Sequence, residues 1–559
     1  MSDQKVIKRP HSYALALLCF VFILMALGPI KQPVFGDEIP LIENLINFYQ
    51  FKTILPTMYN YPTLYSYVVF VAFGFVALIE RAVTGLNFAE IGFFLDWPIY
   101  GTAKVTTEFI VLRLFSVLLG VLLIVTTYLL GRITCNQSVG LIAAGLLTFT
   151  HTFIYRSTLI LPDVLTALLC AIALALSAQV LNSKNKPLYS ILGVPGYLVA
   201  AAVFSGMAVA AKYNAALVFS YVCIVLVVWR IQFGEGSPKI IIRDLALIGI
   251  VFLLAFLVTN PGLLLVPQEY WLGFRYERDH VMDGQLYIDW GEYPFLWIPM
   301  RLVQVEGIIG IIFVLGAIRA LFKYRYNLRI LFVPVGLMVV AIGGWKYTSI
   351  HYLLWCFPIL AIGGAVLLSD IANKLCPNKP YILAALGLIC ILPNSFALAQ
   401  NSLSWWKGDS NQLLAERWVE ENIKSGEHVS HNWYGVPTIW NEQTRKQYLK
   451  RISSRVEIGE KLKSRIFEKP IYSGYLGFQP LPPSASQLNA ENPKWVLENS
   501  DLEPPTSKPL EGYGSKELVE LHTQVAGYYE FLSNGSKYRL ARKFSEGPGS
   551  SIRLYRRID

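Results

Sequence analysis

The run Arg113-Leu-Phe-Ser-Val-Leu-Leu-Gly-Val-Leu-Leu-Ile-Val-Thr-Thr-Tyr-Leu-Leu-Gly-Arg132 decides the fold. Eighteen residues without a charge separate its two arginines. At about 1.5 Å per helical residue, such a stretch nearly crosses a hydrocarbon core of roughly 30 Å. Apolar runs of the same kind lie near 12–30, 138–157, 163–181, 190–210, 214–229, 244–260, 297–321, 330–345, 352–369 and 380–398, giving about eleven. The chain has 559 residues, 54% hydrophobic and only 15% charged, where a water-soluble domain carries about a quarter charged. The expectation is a polytopic α-helical membrane protein.

The net charge of +10 is not a nucleic-acid footprint, because much of the excess lies in short loops between apolar runs. With a cytoplasmic N-terminus (Lys5, Lys8, Arg9) and a retained first span, the inner loops carry Arg132; Lys184 and Lys186; Arg230, Lys239 and Arg243; Arg319, Lys323, Arg325 and Arg329; and Lys374 and Lys379. That is the positive-inside pattern. One further apolar run, 64–79, would invert every later loop if it crossed, so it is expected to lie in or dip into the outer interface. Residues 31–112 then form a first outer loop with its own helices, and 261–296 a lid-like outer loop. Residues 1–400 make the membrane domain. Residues 401–559 make an extracytoplasmic, soluble α/β domain, with an amphipathic helix over 411–423, strands near 494–497 and 551–555, and loops near 479–486 and 503–508. The seven cysteines lie in or beside apolar segments with no CxxC spacing, which excludes zinc-ribbon and thioredoxin-like readings.

Acidic residues at a membrane boundary need a reason, and Asp37-Glu38 just past the first span are the first such pair. Asp37 could simply N-cap a helix running from about Glu38 to Phe51, with Pro40 in its first turn. Adjacent helical positions point about 100° apart, so one carboxylate can face a site while the other holds the loop. Asp163, after Leu161-Pro162, stands at the outer end of a span, where an N-cap is again the plain alternative; the threading puts it on the same side as Asp37. Outer cations form a third group: Arg113, Arg156, Lys212, Arg275, Arg278, Arg301 and Lys346, with His280 and His351. Together they could make a rim that binds a phosphate. The aromatic and acidic stretch 266–296 suits a mobile lid, or an ordinary interfacial belt.

Asp37-Glu38 followed by Tyr61-Pro62-Thr63-Leu64-Tyr65 resembles the first outer loop of GT-C membrane glycosyltransferases, in the protein O-mannosyltransferase and aminoarabinose (lipid A) transferase branch. Arg113-Leu-Phe-Ser116, Gly140-Leu-Ile-Ala-Ala144 with Leu161-Pro-Asp163, Lys212-Tyr-Asn214, and His351-Tyr-Leu-Leu354 with Pro358 are similar to further elements of that branch, so the resemblance covers about residues 10–400. His351 stands where the family usually has Arg, and one proline stands where two are common. The resemblance implies a polyprenyl-phosphate-linked sugar donor, transfer on the extracytoplasmic face of a plasma (bacterial inner) membrane, and a lipid, glycan or protein acceptor. It implies an inverting direct displacement, with hexosyl or pentosyl transfer to a hydroxyl or similar nucleophile. Asp37 would be the general base. Glu38 and Asp163 would orient the acceptor or Asp37, and Tyr61 and Pro62 would shape the pocket. Arg113, Arg156, Lys212, Lys346 and His351 would meet the donor phosphate, and His280 would sit on the lid. No cofactor is required; a divalent metal is possible because Asp37, Glu38, Asp163 and His280 could converge. The rival readings are a flippase or transporter for a lipid-linked sugar, which should show inverted repeats, and a non-catalytic envelope assembly protein.

Overall fold

The computed structural model describes residues 9–33, 37–84, 107–183, 189–234, 236–283, 294–323, 326–345, 349–377, 379–431, 446, 450, 484–499 and 516–558. The first part of the chain runs α1 (Arg9–Leu27), a 3-10 turn (Pro29–Lys31), α2 (Glu38–Phe51), α3 (Leu64–Thr84), α4 (Thr107–Thr134), α5 (Gln137–Thr148), α6 (His151–Ser157) and α7 (Asp163–Leu181). A hairpin of β1 (Ser190–Ile191) and β2 (Val194–Pro195) precedes α8 (Gly196–Ala211), a 3-10 turn (Tyr213–Val218), α9 (Phe219–Gln232) and α10 (Pro238–Thr259). Then come α11 (Gly262–Leu265), α12 (Pro267–Asp283), α13 (Pro294–Lys323), α14 (Tyr326–Leu331), α15 (Val333–Gly343), a 3-10 turn (Ile350–Cys356), α16 (Phe357–Leu375) and α17 (Pro380–Lys407). Among the described residues nine helices are long and apolar enough to cross a membrane, and ten if α5 and α6, bent by 68°, make one. The eleventh expected run is α8, sixteen residues long. Its first six expected residues instead form the hairpin, whose Leu192 and Gly193 both take positive φ, as a two-residue type I′ turn requires.

Small residues let the bundle close. A β-carbon on Gly131 or Gly140 would meet the other helix where α4 crosses α5, and one on Gly316 would meet the backbone of Gly363 and Gly364 where α13 crosses α16. This is the packing expected where lipid offers no hydrophobic drive between helices. The bend between α5 and α6 has a polar explanation. Glu306 of α13 accepts from the backbone N–H of His151 (2.6 Å) and Thr152 (3.0 Å), and Asn394 of α17 donates to the carbonyl of Phe149 (3.1 Å). The broken turn therefore keeps its backbone groups paired, as burial in a bilayer demands. The expected single run 138–157 is thus two helices, and α13 has its own kink at Gly307 (φ 56°, ψ −130°), next to Glu306.

Beyond α17, α18 (Asn411–Asn422) packs on a four-stranded sheet of order β3-β4-β6-β5, made of β3 (Val429–His431), β4 (Trp495–Asn499), β5 (Tyr538–Phe544) and β6 (Ile552–Arg557). β3 and β4 are parallel and the other pairs antiparallel. Ala415 and Val419 of α18 and its C-cap residue Ile423 meet Trp495, Leu497 and Leu554, while α20 (Lys516–Ser533) covers the other face through Val525, Tyr528 and Leu532. The stretch 479–486, read as loop, instead ends in a capping box: Ser484 and Gln487 open α19 (Ala485–Glu491). The stretch 503–508 lies outside the described residues.

Candidate active site

The two adjacent carboxylates at the head of α2 do different things. Glu38 is fully buried and accepts from Arg113 Nε (2.9 Å), Arg113 Nη2 (2.5 Å) and the Ile160 N–H (2.8 Å). The rest of the guanidinium goes to backbone carbonyls: Nη1 to Ile30 (2.8 Å) and Gln32 (2.5 Å), and Nη2 to Pro33 (3.2 Å). Gln32 in turn donates to Thr158 (3.0 Å). Glu38 and Arg113 therefore clamp the turn after α1 to α4 and to the approach of α7. Arg113 was expected at the outer rim because its apolar run begins there. The helix in fact begins at Thr107, and Arg113 is fully buried with its donors taken by Glu38 and three backbone carbonyls.

Asp37 occupies the N-cap position of α2 but its side chain caps nothing. It forms no hydrogen bond or ion pair among the described residues. Its carboxylate is reachable by solvent yet walled by protein, and this enclosure pushes its pKa up against the pull of Arg156 and Lys212. Asp163 likewise opens α7 without capping it. Instead it takes a 2.6 Å bond from Lys212 Nζ, and Arg156 Nη1 lies 3.8 Å from its other oxygen. Arg156 Nη2 also lies 2.7 Å from His351 Nδ1. Because a guanidinium only donates, that nitrogen accepts, and His351 is the neutral tautomer with its proton on Nε2. Lys212 lies over the Tyr352 ring at 4.8 Å, and Asn214 donates to the Tyr352 carbonyl (3.0 Å) while its own Oδ1 is buried without a partner.

The result is a charged site in which Asp37, without a partner of its own, lies within electrostatic reach of two cations that Asp163 holds. Tyr61 stands among Asp37, Glu277, Asp163 and Tyr352, and burial raises its phenol well above its ordinary value. Pro62 is buried behind it. Lys346 lies outside the described residues, and so does the side chain of His280. The expected lid is helical over Pro267–Asp283 rather than a loop. Asn260 explains how it is held: its Oδ1 accepts from Thr63 Oγ1 (3.0 Å), and its Nδ2 donates to the Tyr270 hydroxyl (2.9 Å). Reading the residues by composition missed Glu277. The helical spacing of Tyr270, Phe274 and Glu277 on one face carries the signal. Among the described residues no cluster of three or more His, Cys, Asp or Glu side chains could hold a metal.

Residues 86–272, about a third of the chain, match the family model described as dolichyl-phosphate-mannose-protein mannosyltransferase. The match includes Arg113, Arg156, Asp163 and Lys212 but stops short of Asp37 and His351. No curated protein matches the chain in sequence. Among solved structures, the apo oligosaccharyltransferase of Archaeoglobus fulgidus is similar at a TM-score of 0.50 and 12% identity, covering 96% of this chain and 80% of its own. ArnT from Cupriavidus metallidurans bound to undecaprenyl phosphate gives 0.48 and 11%, covering 97% of both chains. The Pmt1–Pmt2 O-mannosyltransferase complex of S. cerevisiae gives 0.32 and 19%, over 49% of this chain and 34% of that one. The chain has the fold of the GT-C membrane glycosyltransferases, and the resemblance that its motifs carry is to their protein O-mannosyltransferase and aminoarabinose transferase branch.

Proposed function

We propose that this chain transfers a sugar from a polyprenyl-phosphate-linked donor to an acceptor hydroxyl, or a similar nucleophile, by one inverting displacement. The observation that carries the reading is a free carboxylate, Asp37, within electrostatic reach of the anchored cations Lys212 and Arg156. The family match, by its printed description, concerns a lipid-phosphate mannose donor, which is the chemistry such a site can serve. A polyprenyl phosphate is already a good leaving group. The protein then has two tasks: to take the acceptor's proton as the new bond forms, and to hold the charge that collects on the departing phosphate. Asp37 performs the first and Lys212 with Arg156 the second, while Asp163 fixes the lysine and His351 the guanidinium. The orphan amide oxygen of Asn214 is placed to accept from a substrate hydroxyl. Glu38 and Arg113 support the site from behind and touch no substrate. The positive-inside pattern supports an extracytoplasmic site, and the bacterial inner membrane is part of this reading.

The test separates donor from acceptor chemistry. Lys212→Met should weaken binding of undecaprenyl phosphate by about tenfold, the equivalent of about 1.4 kcal/mol. Asp37→Asn should bind it normally and transfer no sugar. Loss of lipid-phosphate binding in Asp37→Asn together with normal binding in Lys212→Met would overturn the assignment.

A further inference from the structure

Glu277 is a carboxylate that the mechanism above does not use. It lies on α12, three residues past Phe274 and seven past Tyr270, so the three share a face. That face is docked: Phe274 meets the Tyr213 ring at 5.1 Å, Tyr270 meets Tyr59 at 5.6 Å, and a β-carbon on Gly273 would collide with the Tyr59 backbone. Tyr213 directly follows Lys212. The docking therefore brings this face beside the Lys212–Tyr213 corner, with Glu277 within electrostatic reach of the lysine. The charged and titratable groups around it are Lys212, Asp37 at the head of α2, Tyr61 from the first loop, Tyr213, and Tyr276 on its own helix. Glu277 makes no ion pair or hydrogen bond among the described residues.

We propose that Glu277 sets the charge with which Lys212 meets the lipid phosphate, so that its ionisation weakens the site's hold on the polyprenyl phosphate. This rests on the reading of the Asp37, Lys212 and Arg156 site as a polyprenyl-phosphate site. In the transfer, the acceptor oxygen bonds to the anomeric carbon, the bond from that carbon to the phosphate oxygen breaks, and its electron pair stays on the phosphate. The acceptor's proton goes to Asp37. A neutral Glu277 leaves the full charge of Lys212 for the phosphate; an ionised one opposes it. Burial, with Asp37 adding to it and Lys212 working against it, pushes the Glu277 carboxyl up to about 7. It can therefore change charge near neutral pH, exchanging its proton with water.

Binding of undecaprenyl phosphate to the purified full chain, measured from pH 6 to pH 8.5, tests this. The ligand's own phosphate also titrates there, so the readout is the difference between proteins. Glu277→Gln should bind roughly three- to tenfold more tightly than wild type at pH 8.5 and equally at pH 6, an effect of one charge near another at protein-surface dielectric. Glu277→Asp should keep a wild-type-like slope, and Asp279→Asn on the same helix should change nothing. Parallel pH curves for wild type and Glu277→Gln would overturn the proposal while leaving the lipid-phosphate site intact. Failure of wild type to bind undecaprenyl phosphate at any pH would overturn the reading of the site itself, and this proposal with it.

Discussion

Two neighbouring carboxylates should fail in opposite ways. Glu38→Gln removes the charge partner of a fully buried guanidinium and exchanges one acceptor oxygen for a donating amide. Stripping one member from a buried ion pair typically costs about 3–5 kcal/mol. With an unfolding entropy of about 2.1 cal/mol/K per residue over roughly 400 residues, or about 0.8 kcal/mol/K, the expected fall in Tm is about 4–6 °C. Asp37→Asn removes a carboxylate that holds no partner and whose ionised form the fold disfavours. Its Tm should stay within about 1 °C of wild type, or rise, since substitutions away from any built contact usually stay within about 0.5 kcal/mol. The assay is thermal unfolding in detergent, followed by intrinsic tryptophan fluorescence, alongside sugar transfer at a temperature where both variants are folded. Glu38→Gln should retain part of its transfer and Asp37→Asn none. If Asp37→Asn lost as much stability as Glu38→Gln, or if Glu38→Gln alone abolished transfer without lowering Tm, the division between a structural and a reactive carboxylate would be wrong.

Three further outcomes follow from buried polar groups. Asn260→Leu should leave the Tyr270 hydroxyl and the Thr63 N–H without their partner, cost about 2–3 kcal/mol, and raise hydrogen exchange in α12 before any other helix. Glu306→Ala should strip the His151 and Thr152 N–H groups of their acceptor; loosened α6 should then show as weaker lipid-phosphate binding through Arg156, with Asp37 chemistry unchanged per bound donor. Glu498, buried in β4 beside Tyr528, Tyr529 and Arg553, is pushed up to about 8 by its burial. An acid raised in this way favours the fold below its unfolded value and loses that advantage as pH climbs towards 8. Exchange protection of β4 and α20 in the full chain should therefore fall from pH 5 to pH 8.5, and Glu498→Gln should flatten the trend.

Element existence was legible because apolar length is a coarse, strong signal: every expected run found a helix, and 411–423 and the two terminal strands fell within a residue or two. What the runs could not show was interruption. The break at Phe149–Thr150 depends on Glu306 and Asn394, which lie about 150 and 245 residues away, so no local pattern records it. The same holds at the site. Asp37 and Glu38 are neighbours in sequence, and only the distant Arg113 and Ile160 decide which of them is consumed. Arg113 was misread because a charge at the edge of an apolar run looks like a rim residue until the helix is seen to start earlier. Glu277 was the opposite case: its spacing to Tyr270 and Phe274 was visible, but a stretch read as loop hides helical faces.

The turn that presents its carbonyls to Arg113 rests on the far end of the membrane part of the chain. A β-carbon on Gly28 would collide with the Ser402 backbone, Ser402 donates to the Leu24 carbonyl (3.2 Å), and Lys31 lies over the Trp406 ring at 4.5 Å. During synthesis the first helix emerges from the ribosome nearly 400 residues before the helix it leans on. The turn that Arg113 holds therefore lacks its support until α17 has been inserted. A chain ending before α17 is predicted to reach the membrane with its helices formed and this turn unsupported, inert by order of assembly rather than by loss of any reacting group.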